Sequence, residues 1–234
     1  MWDIWQDWLS LMAISISNAV EYHALQERNE EYARIISKYD KTDFDKFVEL
    51  FTYLVMALES CNGVYKDLLG EIYHALKLNN ENNGEFFTPM HIADFMANIS
   101  FIDSEYDLAS KGFISMSEPT CGSGVMVIAM ANSIIQAGYD VSKSLIAVCT
   151  DINLICVKMA YVQLSLIGVP AVVIHGNSLS MEEWSRWYTP THCWFNWLYY
   201  FTHGKVGRLL TEEEYRTKLI WDVLKEVCSS NECS

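Results

Sequence analysis

The stretch "EPTCGSG", residues 118–124, places two glycines and a serine directly after a short apolar run, "GFISMSE", residues 112–118. Gly122 and Gly124 remove Cβ atoms where a strand would bend sharply into a helix. Ser123 adds a hydroxyl where the first N–H groups of that helix have no partner. Such a turn lets backbone approach a ligand closely, although a lone G-x-G also fits an ordinary tight turn.

The segments that follow alternate in character. "VMVIAMANSIIQAG" (125–138), "SLIAVCTD" (144–151), "LICVKMAYVQLSLIG" (154–168) and "PAVVIHG" (170–176) read as helix, strand, helix, strand. That order predicts a parallel sheet with right-handed crossovers, in which ligands sit at the carboxyl ends of the strands. Asp151 ends the second strand, where a carboxylate can accept from both hydroxyls of a ribose. Ile152 beside it can cover one face of an adenine ring. Asn177 ends the third strand in "IHGNSL", and its amide can both accept from an adenine amine and donate to a ring nitrogen. Each polar strand end alone fits a solvated loop residue or a helix cap. With the glycine turn after the first strand, three successive strand ends point to a nucleoside-containing ligand.

Upstream lie "DLLGEIYHAL" (67–76) and "GEFFTP" (84–89). Taken in order with the glycine turn and "GNSL", these stretches resemble the N6-adenine DNA methyltransferases, especially the modification subunits of type I restriction systems, over roughly residues 66–180. "GEFFTP" is similar to the family motif lying over the methionine end of S-adenosylmethionine, and "EPTCGSG" to its glycine motif. The resemblance implies an α/β fold: a Rossmann-like, S-adenosylmethionine-dependent methyltransferase domain, truncated, after a helical N-terminal domain. It assigns cofactor binding to Phe86, Phe87, Thr88, Pro89, Glu118, Thr120, Gly122, Ser123, Gly124, Asp151, Ile152 and Asn177. The residues of "FFTP" fit that role. Thr88 is placed to cap a helix whose first position is Pro89, which has no N–H to satisfy there. An aromatic face near a sulfonium is a cation–π site, and core packing of either ring is the open alternative.

The family engages the adenine amine with an Asn or Asp followed by two prolines and an aromatic, just after the fourth strand: the side-chain oxygen and a backbone carbonyl draw on the amine protons, and the aromatic ring stacks on a base flipped from the duplex. With "THCWF" (191–195) read as that strand, Asn196 takes the first motif position and Tyr199 the fourth. Trp197 and Leu198 stand where the prolines belong. The alternative is an aromatic-rich buried segment that contains an asparagine.

The N-terminal part is helical in pattern. Trp5, Trp8, Leu9, Met12 and Ile16 recur at helical spacing within residues 2–37, an aromatic stripe suited to core or a subunit interface. Thr42, with Asp45 three residues on, is the expected cap of the next helix, and "VYKDLLGEIYHALKL" follows it. The polar, Asn-rich "NNENNGE" (79–85) marks the expected boundary between a helical domain, 1–78, and the methyltransferase domain, 84–234. After Tyr199 the sequence offers one further helix, "TEEEYRTKLIWDVLKEV", and too little chain for the remaining strands of a full methyltransferase sheet or for a target-recognition domain.

Composition narrows the partners. Sixteen Lys and Arg against 30 Asp and Glu give a formal net charge of −14, so the average surface repels phosphate and anionic lipid. DNA contact is therefore expected through a partner or specificity subunit, with "HGKVGR" as a small local basic cluster. The N-terminal helices offer a route to a homo-oligomer. Seven cysteines without paired short spacing read as reduced thiols, not a metal site. The apolar start has no basic segment and carries Asp3 and Asp7, so neither a leader nor a membrane span is expected, and the location is expected to be cytoplasmic. Three functions stay open: an adenine methyltransferase needing partners, a non-catalytic cofactor-binding protein that engages restriction-modification components, and a methyltransferase for another substrate.

Overall fold

The structure, a computed structural model, describes residues 2–22, 24–61, 63–78 and 87–195. Four helices come first: α1 Trp2–Asn18, α2 Leu25–Ile36, α3 Lys41–Glu59 and α4 Leu68–Ala75. A long helix, α5 Met90–Lys111, leads into β1 Ile114–Glu118, after which come α6 Val125–Gln136, α7 Val141–Ser144, β2 Leu145–Asp151, α8 Leu154–Leu166, β3 Ala171–Asn177, β4 Glu182–Tyr188 and α9 Pro190–Trp194. The stripe expected to run as one helix to residue 37 is therefore two helices, broken after Asn18.

The sheet order is β1-β2-β3-β4. β1, β2 and β3 run parallel, with Ile114 opposite Leu145 and Ala147 opposite Ala171. Alternation along β2 decides the packing: Leu145, Ala147 and Cys149 are fully buried with α6 and α8, while Ile146 faces the other way with Phe113 and Phe195, and Val148 stays partly exposed.

β4 pairs antiparallel to β3, with Val172 opposite Tyr188 and Asn177 opposite Glu182. This corrects the reading of "THCWF" as the fourth strand. Residues 178–181 are too few for a crossover helix, so the chain can only turn back on itself. A bulge at His175/Gly176 eases the hairpin, and a Cβ on Gly176 would run into the Glu182 carbonyl. Residues 190–194 are helical instead, with Pro190 in the first turn, where its missing N–H costs nothing.

One buried cluster runs from Trp5 to Trp187 and takes in α1, α4, α6, α8 and the sheet. Leu9, Ala13 and Ile14 of α1 are fully buried, each of the larger two contributing about 1.5–3 kcal/mol by burial. Trp8 donates its indole N–H to the Phe47 carbonyl at 3.0 Å, tying α1 to α3. Polar links join α1 and α2 to the sheet layer. Lys158 of α8, 3 % exposed, donates to Ser10 at 2.8 Å and pairs with Glu31 at 3.0 Å. Arg28 pairs with Glu21 at 2.9 Å and lies 4.0 Å above the Trp187 ring.

Two caps differ from expectation. Asp40, not Thr42, caps α3 by accepting from the Asp43 N–H. α5 starts at Met90 with Pro89 as its N-cap and no side-chain cap, so Thr88 does not serve there. Among the described residues no helix is long and apolar enough to cross a membrane.

Candidate functional site

Glu118, Asp151 and Asn177 are the last residues of β1, β2 and β3. The strand registers place Glu118 opposite Cys149 and Asp151 opposite His175, so each strand outreaches its predecessor by two residues. The three polar ends form a stepped row along the carboxyl edge of the parallel strands, beside the glycine turn.

That turn has the backbone its glycines require. Gly122 has φ +54° and Gly124, the N-cap of α6, has φ +97°. A Cβ on Gly124 would lie 3.4 Å from both Cα and Cβ of Ala160, so its absence lets α6 and α8 approach. The amide of Cys121 donates to Thr150, and that of Gly124 to Cys121, at 2.9 and 2.8 Å. Asp151 closes the arrangement: one carboxylate oxygen accepts from the Gly122 N–H at 2.9 Å and the other from the Asn153 N–H at 2.8 Å. A carboxylate accepts at about four positions; two backbone amides thus orient Asp151 within the row. Ile152 next to it is 62 % exposed, an apolar side chain held in solvent at the strand end.

The "FFTP" stretch reaches the same place. The edge of the Phe87 ring lies 3.5 Å from where a Gly122 Cβ would stand. Phe87 stacks on Tyr73 at 5.6 Å between centroids and meets His74 edge-on at 4.9 Å. It is therefore packed against the core and touches the glycine turn at once. Thr88 is partly buried and Pro89 exposed at the entrance of α5. Thr120 is exposed at the tip of the turn.

Two side chains make bonds the sequence does not suggest. Ser123 is 1 % exposed and donates its hydroxyl to Asp67 at 2.5 Å, away from solvent. Asn177 uses its side-chain oxygen to accept from the N–H groups of Leu179 and Ser180, at 3.0 and 3.3 Å, turning the chain into the hairpin. Phe86, Asn196 and Tyr199 lie outside the described residues, as do "NNENNGE", "HGKVGR" and the helix expected at 211–227.

The electrostatics of the row follow from burial. Burial pushes the Glu118 carboxyl above its ordinary value, and a hydrogen bond from the Thr120 backbone pulls it only part of the way back. His175 is held below its ordinary value by burial, and its ring meets Trp184 edge-on at 4.7 Å. A hydrogen bond with Cys149, together with burial, holds the Cys121 thiol well above the usual range, so it stays neutral. The arrangement offers a polar row, an apolar shelf at Ile152 and backbone open to close approach. Such a set suits a ligand with a ribose, a flat base and a charged tail.

Sequence reasoning missed Asp67 and Gln163, which lie beneath the turn. The helix-capping position of Asp67 ahead of Gly70 was a legible signal; its contact with Ser123 was not. A separate groove of about 420 Å³, lined almost wholly by apolar atoms of Trp5, Trp8, Tyr53, Leu68 and Ile72 among others, lies between α1, α3 and α4.

A family model described as N-6 DNA Methylase matches residues 64–199. No curated protein and no solved structure matches the chain significantly.

Proposed function

Since the chain belongs to the N-6 DNA methylase family, we propose that it binds S-adenosylmethionine along the carboxyl ends of β1, β2 and β3, in a Rossmann-like arrangement, and directs methyl transfer to the exocyclic amine of adenine in DNA. The observation that carries this reading is the meeting of Phe87, Gly122 and Asp151 at one turn. These residues are far apart in sequence, and each supplies something the ligand needs.

In this reading Asp151 accepts from the ribose hydroxyls, and Ile152 covers a face of the adenine. The amide of Asn177, with its oxygen held in the turn, has its nitrogen left to donate toward the base edge. Glu118 faces the ammonium of the methionine end. Gly122 keeps the turn open for close approach, while the Phe87 edge borders it beside Thr88 and Pro89. Thr120 flanks the opening, and Ser123 and Gly124 act through the turn's shape. S-adenosylmethionine supplies, when bound, an electrophilic methyl group on a sulfonium. The chain's own contribution to transfer is assigned to Asn196, as acceptor for the amine protons, and Tyr199, as the ring on which the flipped base stacks.

The net charge of −14 supports a division of labour of the type I kind, in which a partner or specificity subunit brings the DNA. The α1 stripe is spent in the core, so self-association through the N-terminal helices would use exposed side chains of α3 such as Leu50, Tyr53 and Met56.

A second reading has its own observation: Trp197 and Leu198 occupy the positions of the family's two prolines. In the family the two prolines make the rigid turn that aims a carbonyl at the amine, and this sequence lacks them there. A displacement of about 1 Å costs roughly a hundredfold in rate. The protein would then bind cofactor as an interaction or regulatory component of a restriction-modification or mobile-element system.

The test is incubation of the purified chain with S-adenosylmethionine and unmethylated adenine-containing DNA, alone and with a basic DNA-binding partner, followed by nucleoside mass spectrometry. N6-methyladenine that disappears in Asn196→Ala supports the enzyme. Cofactor binding with no methyladenine under any of these conditions supports the second reading.

A further inference from the structure

Beneath the glycine turn lies a buried polar cluster that no ligand-facing role uses. Asp67, Ser123 and Gln163 are 5 %, 1 % and 0 % exposed. Asp67 caps α4 by accepting from the Gly70 N–H at 3.0 Å, and a Cβ on Gly70 would collide with its carboxylate. The same carboxylate accepts the Ser123 hydroxyl at 2.5 Å and the Gln163 amide at 2.9 Å. Gln163 also donates to the Ser123 carbonyl at 2.9 Å and accepts from the Leu69 N–H at 3.0 Å. These bonds end on α4, α8 or the turn itself.

α4 reaches the turn a second time, through Phe87. Its Tyr73, fully buried, and its His74 hold the ring of Phe87, whose edge lies against Gly122. One eight-residue helix thus grips the glycine turn by a polar contact at Ser123 and by an aromatic contact at Gly122.

We propose that Asp67 is a positioning residue of the cofactor site: it fixes the glycine turn to α4 and so sets the turn's shape before ligand arrives. The proposal rests on the S-adenosylmethionine reading given above. Asp67 touches no ligand; it acts through Ser123 and the α4 frame. Preorganisation of this kind lowers the ordering cost of binding. Removing the carboxylate leaves the Ser123 hydroxyl buried without its acceptor and the Gln163 amide with only the Ser123 carbonyl, a penalty the turn can relieve by moving. Asn at position 67 preserves the grip: its oxygen accepts from Gly70 and Gln163, and its amide donates to the Ser123 oxygen.

The experiment compares the full-length chain with Asp67→Ala, Asp67→Asn and Ser123→Ala in two readouts. The first is S-adenosylmethionine affinity by calorimetry, taken well below each variant's melting temperature. The second is hydrogen exchange at the amides of Cys121, Gly122 and Gly124 in the ligand-free chain. Asp67→Ala and Ser123→Ala are expected to weaken binding by about tenfold or more and to speed exchange at the turn. Asp67→Asn is expected to restore both toward wild type. Wild-type affinity and turn exchange in Ser123→Ala, or a lowered melting temperature alone in all variants, would overturn the positioning role. If Asp67→Ala does not fold, Ser123→Ala and Asp67→Asn still decide. Failure of the wild-type chain to bind sinks the cofactor reading by itself, and the exchange data then judge the brace independently.

Discussion

The carboxylate of Asp151 accepts the amide N–H of Gly122 at 2.9 Å across 29 residues of sequence. The end of β2 and the turn after β1 are thereby locked into one surface, and the ribose-binding carboxylate of the proposed site also shapes the glycine turn.

Asp151→Ala is expected to act on both counts. Loss of hydrogen bonds to a charged acceptor costs about 1.5–3 kcal/mol, so S-adenosylmethionine affinity should fall by about tenfold or more. Asp151→Asn keeps one accepting oxygen and should lose less. Calorimetric titration of both variants checks the order.

Gly124→Ala is expected to destabilise the ligand-free chain more than Gly122→Ala. Both need positive φ, which costs an L-residue roughly 1–2 kcal/mol. Gly124, at φ +97°, lies further from the left-handed well an L-residue can occupy than Gly122, at φ +54°, and its methyl would meet the backbone Cα of Ala160 at 3.4 Å, whereas that of Gly122 would meet only the Phe87 ring edge at 3.5 Å. Urea unfolding midpoints of the two variants measure the difference.

Glu118 gives the site a pH dependence. Its folded-state carboxyl lies above the ordinary glutamate value because of burial. The folded chain therefore holds this proton more tightly than the unfolded one, and the contribution to stability falls as pH rises from the ordinary value through the raised one. Cofactor affinity runs the opposite way, since only the ionised carboxylate attracts an ammonium group. Affinity should rise with pH through the raised value, and binding at mildly acidic pH should release a proton. Titrations in buffers of different ionisation heat measure that release, and Glu118→Gln should abolish it.

Removal of residues 1–78 should give an insoluble or molten fragment. The loss would expose the α8 face that packs on Leu9, Ala13 and Ile14, and would leave Lys158 without Ser10 and Glu31. A dispersed NMR spectrum from a chain starting at residue 80 would contradict this.

The glycine turn and the polar strand ends were legible because each rests on local chemistry: positive φ calls for glycine, and an apolar run that stops at Asp or Asn marks a strand end. What the sequence hid depends on distance or on competition. Asp67, Ser123 and Gln163 lie up to 96 residues apart, and only the packing of α4 on α8 makes them neighbours. Ser123 looked ligand-facing because its free hydroxyl at a helix start has two possible directions; burial selected Asp67. The fourth strand was misplaced because "EEWSRWY" begins with charged residues, while "THCWF" is apolar yet begins after Pro190, which starts a helix. Thr42 lost the cap of α3 to Asp40 because the helix begins two residues earlier.

The central claim is that the carboxyl edge of β1, β2 and β3 is an S-adenosylmethionine site, and isothermal titration of the full-length chain tests it most directly. One saturable site for S-adenosylmethionine is expected, weakened in Asp151→Ala while circular dichroism shows the variant folded. No binding to the wild-type chain, or equal binding to wild type and folded Asp151→Ala, would contradict it.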